Sequence, residues 1–277
     1  MSSFKVGIVQ MHVADNVEEN IQTALSMVRD AKEHGADIVC LPEMFSCPYK
    51  STKFPIYGEE QGGRTYTALQ RCAIDNNIIL VGGSVPELYE GKVYNTSYIF
   101  NEKGELIGKH RKMHLYDVNV EGGICFMESA SLSAGDNETI FETNLGTFGI
   151  GICYDIRFPE YSRILSLSGA KVIFLPAAFN MTSGPAHWDI NLRCRAFENQ
   201  VYLVGVSTAR DTSANYVAYG HSMVVSPWGE IITQLDEKPG VAIAEINLDY
   251  VDKIRKEFPL LEHRRSDLYE IKMIKKK

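Results

Sequence analysis

Gly169-Ala170-Lys171-Val172-Ile173-Phe174-Leu175-Pro176 echoes an earlier stretch, Gly35-Ala36-Asp37-Ile38-Val39-Cys40-Leu41-Pro42. Each opens on Gly-Ala, runs through four apolar residues and halts at a proline. A short, wholly apolar run bounded this way reads as a strand buried on both faces. Upstream of the second copy, Phe148, Ile150 and Ile152 alternate with small residues, which predicts a strand over 147–152. Pro159 and Glu160 suit the first turn of a helix over 159–168, and Gly169 stops it. Upstream of the first copy, residues 4–10 read as a strand. Asp15 with Glu18 then makes a helix start, and Val17, Ile21, Ala24, Leu25, Val28 and Ala31 share one helical face up to Gly35. Strand, helix and strand with a short return imply a right-handed crossover and a parallel pair. Two such units predict two like layers of sheet and helix with an approximate two-fold relation.

The remaining segments are helices over 66–76, 185–199 and 249–257. Strands are expected over 78–84, 93–100, 105–109, 201–207, 220–226, 230–235 and 241–247. Residues 44–64 and 113–139 read as irregular, and loops of such length favour a functional role. Several strand pairs are hairpins, so a purely parallel sheet does not fit. The expected class is α/β, as a four-layer αββα sandwich with sheets face to face and helices outside. No linker rich in Gly, Ser or charge interrupts the chain, so residues 1–277 are expected to form one domain.

A net charge of -7 argues against nucleic acid as a partner, because binding phosphates needs a basic face. The basic run Lys275-Lys276-Lys277 reads as a solvated tail. No apolar run approaches the length of a membrane span, and Met1-Ser2-Ser3-Phe4-Lys5 lacks a signal-peptide pattern. Six cysteines at 40, 47, 72, 125, 153 and 194 form no CxxC pair, which suggests neither a disulfide framework nor a zinc site. The cytosol is the expected compartment, with the mitochondrion as a second.

Open α/β folds place chemistry at the carboxyl ends of strands. Glu43, Lys112 and Cys153 each follow such an end. Separately they read as a helix-start acid, a member of a basic run and a core thiol; together they read as a nucleophile, a cation and a proton carrier. Cys153, expected to be exposed at its strand end, would have its thiolate favoured by Lys112 and by free N–H groups. Glu43, among Leu41, Pro42, Met44 and Phe45, would have its pKa raised by desolvation. His110 and His114 have metal-ligand spacing, but without HExxH they read better as satisfied surface histidines. His187 reads as a site-facing packing residue. Neither a GxSxG elbow, a dinucleotide fingerprint nor a P-loop occurs.

Three signatures in order resemble the nitrilase superfamily of carbon–nitrogen hydrolases: Leu41-Pro42-Glu43-Met44-Phe45, His110-Arg111-Lys112-Met113-His114-Leu115 and Gly151-Ile152-Cys153-Tyr154-Asp155-Ile156-Arg157-Phe158-Pro159-Glu160. The resemblance implies a Glu–Lys–Cys triad of Glu43, Lys112 and Cys153, a second glutamate at Glu128, the αββα sandwich and a homodimer. It implies a thioester on Cys153, with the oxyanion held by Lys112 and the Tyr154 N–H, and no metal or organic cofactor. Asn180-Met181-Thr182-Ser183-Gly184-Pro185-Ala186-His187-Trp188, Asn199-Gln200-Val201-Tyr202 and Tyr219-Gly220-His221-Ser222 look most like the omega-amidase branch. That branch hydrolyses small 2-oxo acid amides, 2-oxoglutaramate and 2-oxosuccinamate. Deaminated-glutathione amidase, N-carbamoyl amino-acid hydrolase and nitrilase stay open as alternatives, as does a catalytically silent dimeric scaffold. For the substrate carboxylate, Arg157 is the candidate partner, since it lies one helical turn past Cys153 and binds carboxylates bidentately. Its rival reading is an ion pair with Asp155 or Glu160. The resemblance adds Phe179 and Ser183 beside that carboxylate.

Overall fold

The computed structural model describes residues 3–274, so Met1-Ser2 and Lys275-Lys276-Lys277 lie outside the described residues. The first half of the chain runs β1 (Ser3–Gln10), α1 (Val17–Glu33), β2 (Ile38–Cys40), α2 (Phe54–Tyr57), α3 (Arg64–Asn76), β3 (Ile79–Val81), β4 (Val85–Tyr89), β5 (Lys92–Phe100) and β6 (Leu106–Arg111). It continues through β7 (Asp117–Asn119), β8 (Cys125–Met127) and β9 (Thr139–Thr143). The second half runs β10 (Gly146–Ile150), α4 (Pro159–Leu167), β11 (Val172–Ala177), α5 (Gly184–Asn199), β12 (Tyr202–Ser207), β13 (Met223–Val225), β14 (Ile231–Gln234), β15 (Gly240–Asn247) and α6 (Leu248–Glu257).

One sheet has the order β15-β1-β2-β3-β5-β4, with β6 also on β5; the other runs β14-β13-β12-β11-β10-β9. Both have a parallel centre, β1-β2-β3 and β10-β11-β12, with antiparallel neighbours outside. The two echoed stretches, β2 and β11, occupy the same place in their sheets. Val6 faces Ile38 in one register and Phe148 faces Val172 in the other. Strand alternation then sorts the core. Phe4, Val6, Ile8 and Ile38 meet Phe148, Ile150, Val172 and Phe174 between the sheets. On the outer faces, Val9, Val39 and Leu80 pack on Ala24, Val28 and Leu69 of the helices, while Ile173, Leu175 and Leu203 pack on Leu165, Trp188 and Leu192. Each fully buried side chain of this kind contributes about 1.5–3 kcal/mol, which offsets the entropy of ordering four layers. The αββα expectation agrees with this architecture.

Local expectations differ in several places. The cap of α1 is Asn16, whose side chain accepts from the Glu19 N–H. Asp15 instead pairs with Lys53 at 2.8 Å and bonds to Tyr57. The stretch 78–84 is not one strand: it breaks after Val81, at Gly82-Gly83. Gly83 has φ +60, and a Cβ there would lie 2.2 Å from the Pro42 carbonyl oxygen, so only glycine fits. Ser84 then ties down the turn carrying Glu43: its N–H donates to Pro42 O and its Oγ accepts from the Met44 N–H. Residues 113–139 are less irregular than expected, for they hold the β7–β8 hairpin and a 3-10 turn at Glu128–Ala130. Strand β9 was not foreseen; it completes the second sheet against β10.

Candidate active site

Four segments meet at the carboxyl ends of the central strands. Glu43 follows β2, Lys112 follows β6, Glu128 opens the turn after β8, and Cys153 follows β10. All four side chains are buried. Lys112 is held by backbone on both sides: its N–H donates to Asn95 O, and its carbonyl accepts from the Gly135 N–H, each at 2.8 Å. A Cβ on residue 135 would stand 2.2 Å from the Arg111 carbonyl oxygen, so that approach also requires glycine. Because β6 extends through Arg111, alternation turns Lys109 and Arg111 outward onto Glu87. His110 and Lys112 face inward.

The Lys112 ammonium donates to Glu43 Oε1 and to Glu128 Oε1, both at 2.9 Å. Asn95 Nδ2 donates to the same Glu43 oxygen at 2.8 Å. The Tyr49 hydroxyl has one proton to give and lies nearer Glu128 (2.5 Å) than Glu43 (3.1 Å). Glu128 Oε2 accepts from the Tyr116 N–H at 2.6 Å. Glu43 Oε2 is buried with no partner among the described residues, and the Cys153 thiol stands close enough for the Glu43 carboxylate to raise its pKa.

Two carboxylates thus surround one ammonium in a space closed to water. Burial pushes the Glu43 pKa up; Lys112 pulls it back and Glu128 pushes again, leaving it raised. Burial opposes the Lys112 charge, but Glu128 and Glu43 outweigh it, so its pKa stands above the ordinary lysine value. For Cys153 the direction is the reverse of the sequence expectation. The residue is 5% exposed, not open to solvent. Its burial, aided by Glu43, pushes the thiol up further than Lys112 and the Ala178 N–H pull it down. At rest the group is a thiol beside a base, not a free thiolate.

Cys153 opens a 3-10 turn over Cys153–Arg157 and has φ +47. That left-handed conformation costs a non-glycine residue about 1–2 kcal/mol and persists only where its surroundings hold it. It lifts the sulfur out of the strand direction into a pocket lined by Tyr154, Arg157, Phe179 and Ser183, with Tyr116, Asn180 and Tyr216. The four residues expected on the substrate side therefore share one pocket with the thiol. Glu43 borders a separate cavity of about 490 Å³, and Tyr216 lines both.

Arg157 pairs with neither of the carboxylates its rival reading named. Asp155 is occupied by His110, His114 and the Ile152 N–H. Arg157 Nη1 donates to His187 Nδ1 at 2.9 Å, its guanidinium stands 4.6 Å from the Phe179 ring centroid, and its Nε is buried without a partner among the described residues. His187, expected as a site-facing packing residue, is exposed and outside the pocket lining, and it meets the site only through Arg157. His110 and His114 are satisfied, but His110 is wholly buried and not on the surface. Tyr49, Asn95, Tyr116, Ala178, Asn180 and Tyr216 escaped the sequence reading. The polar run Asn95-Thr96-Ser97 inside an apolar strand was the one visible signal.

The family model "Carbon-nitrogen hydrolase" matches residues 5–256, and the chain belongs to that family. Among relatives, the omega-amidase NIT2 of Xenopus tropicalis is 45% identical over 271 residues, covering 98% of each chain. Human omega-amidase NIT2 is 42% identical over 275 residues, covering 99% of this chain and 100% of its own. Among solved structures, Saccharomyces cerevisiae Nit3, a member of branch 10 of the nitrilase superfamily, superposes with a TM-score of 0.88 at 39% identity. It covers 95% of this chain and 97% of its own. Among the described residues, no helix is long and apolar enough to cross a membrane.

Proposed function

We propose that the protein is an omega-amidase that hydrolyses the terminal amide of 2-oxoglutaramate and 2-oxosuccinamate. The observation that carries this reading is that the Cys153 thiol shares one pocket with the Arg157 guanidinium, which has no carboxylate partner among the described residues, while the buried Glu43–Lys112 pair lies behind that pocket. The Cys153 sulfur attacks the amide carbon as Glu43 takes the thiol proton. Lys112 and backbone N–H groups of the Cys153 elbow, Tyr154 among them, hold the tetrahedral oxyanion. Glu43 passes the proton to the departing nitrogen, ammonia leaves, and a thioester remains. Water then donates a proton to Glu43 and adds to the thioester carbon; the carbon–sulfur bond breaks, Glu43 returns the proton to the Cys153 sulfur, and the acid is released. Glu128 orients Lys112. The chemistry calls on no metal or organic cofactor.

Ammonia release from a panel of 2-oxo amides, ureido acids and nitriles, with release of cysteinylglycine as the readout for deaminated glutathione, tests the reading. The two 2-oxo amides are expected to give the highest kcat/KM; a preference for any other class overturns it. Glu43→Gln keeps the shape and removes the proton carrier, so kcat should fall by about 10²-fold or more. Because Glu43 must be ionised to accept the thiol proton, the acid limb of kcat/KM in the parent should lie above the ordinary glutamate value of 4.5. A limb at or below that value counts against Glu43 as the base.

Arg157 is the proposed reader of the substrate carboxylate, with Phe179 and Ser183 beside it. Arg157→Lys keeps the charge and loses the two-pronged geometry. KM for 2-oxosuccinamate should rise at least about tenfold, the loss of a charged contact of about 1.5 kcal/mol. An uncharged short amide should be affected much less, and equal losses on both would remove the role.

The same reading has the protein as a cytosolic homodimer. Free cysteines suit a reducing compartment. Phe197, Trp228 and Phe258 form an exposed apolar face that supports self-association. Sedimentation at micromolar concentration reads the state directly.

A further inference from the structure

Asp155 stands outside the thiol–carboxylate–ammonium group, yet four hydrogen bonds converge on it. Oδ2 accepts from the Ile152 N–H at 2.9 Å and from His110 Nε2 at 3.1 Å. Oδ1 accepts from the His114 N–H at 3.0 Å and from His114 Nδ1 at 2.7 Å. Ile152 immediately precedes Cys153, while His110 and His114 lie two residues before and two after Lys112. One buried carboxylate therefore grips both segments that carry the reacting side chains.

We propose that Asp155 is a positioning residue that fixes the Lys112 ammonium relative to the Cys153 thiol, with His110 and His114 as its arms. The inference rests on the reading of Cys153 and Lys112 given above. Backbone bonds to Asn95 and Gly135 anchor the Lys112 main chain, but they do not link it to the Cys153 elbow. Lys112 lies beyond the end of β6, and Cys153 beyond the end of β10, in a left-handed conformation. On the elbow, Asp155 closes the turn twice, because its own N–H also donates to Ile152 O at 3.0 Å. On the lysine side, the arms are themselves braced. His110 Nδ1 meets Thr139 Oγ1 at 3.2 Å, and the His114 ring stacks on Phe158 with centroids 3.8 Å apart. Since a carboxylate only accepts, each bond requires the ring nitrogen facing it to carry a proton. Against burial, the hydrogen bonds from His110 and His114 hold the Asp155 carboxyl well below the usual range, so both oxygens stay available as acceptors.

The chemistry of asparagine makes this testable. Its side chain has one acceptor oxygen, and its amide nitrogen cannot accept from an N–H. Asp155→Asn can therefore serve the Ile152 end or the His114 end, not both. Turnover of 2-oxosuccinamate should be counted per Cys153 that iodoacetamide can alkylate, read by peptide mass spectrometry. On that count Asp155→Asn and His114→Ala should each lower kcat at least about tenfold, with KM changed less than about threefold. His114→Asn, whose amide can donate where Nδ1 does, should recover most of the loss. A merely structural role would reduce the number of alkylatable sites and leave turnover per site unchanged; that result overturns the inference. His114 is partly exposed, so His114→Ala and His114→Asn decide the matter even if Asp155→Asn fails to fold. A parent enzyme still active after complete Cys153 alkylation would overturn the catalytic reading, and this inference with it. Unchanged turnover in the variants, beside a parent silenced by alkylation, overturns this inference alone.

Discussion

Cys153→Ala is expected to fold, to unfold within a few degrees of the parent, and to release no ammonia from 2-oxosuccinamate. Alanine keeps the Cβ and tolerates φ +47 about as well as cysteine does, so the elbow loses only a sulfur. Without the sulfur, the covalent step has no atom to occur on. Cys153→Ser should be nearly as inactive. Burial already keeps the resting cysteine protonated, and a hydroxyl is far harder to ionise beside the same carboxylate. The other five cysteines make the control. Cys125 is exposed, and none of Cys40, Cys47, Cys72 and Cys194 lines the thiol pocket. Alanine at each should leave turnover within about twofold. Measurable thioester turnover in Cys153→Ala, assayed on protein free of parent enzyme, would rule out the mechanism.

What could be read from the chain follows the range of each interaction. The two crossover units were legible because buried parallel strands leave unbroken apolar runs and glycine marks the helix ends. Both features are local in sequence. Glu43 and Cys153 were legible because each follows such a run, and Lys112 because it follows a hairpin strand. The pKa of Cys153 was not, because its sign depends on how much water the other three segments exclude. Lys112 acting alone would have lowered it. His110 was misread for a related reason: its burial depends on β6 continuing to Arg111 and on β9, a strand the sequence pattern hides. The Gly83 break was hidden too. Only the approach of the Pro42 carbonyl, forty residues away along the chain, shows why a strand cannot pass there. Tyr49 and Asn95 reach Glu43 across tertiary distances that no periodicity records.

Removing the ammonium should do more damage than removing the base, because it harms stability as well as rate. Lys112→Met keeps the aliphatic stem and approximate volume, so the change reads out the charge with little cavity. Loss of an oxyanion donor costs about 10²–10³-fold in kcat. The fold loses as well, since stripping one partner from a buried ionic group costs about 3–5 kcal/mol. The pH dependence identifies the cause. In the parent, burial raises Glu43 while Lys112 pulls it down by charge and by hydrogen bond. Without Lys112 the folded-state pKa of Glu43 climbs further above its unfolded value. A carboxyl raised in this way contributes its full stability below the unfolded pKa, near 4.5, and loses it as pH rises through the folded pKa. The deficit in thermal midpoint between Lys112→Met and the parent should therefore be small near pH 5 and widen toward pH 8. An uncovered surface charge would give a deficit independent of pH, and so would a packing defect. A flat difference in midpoint, or a kcat within tenfold of the parent, would remove Lys112 from the centre of the site.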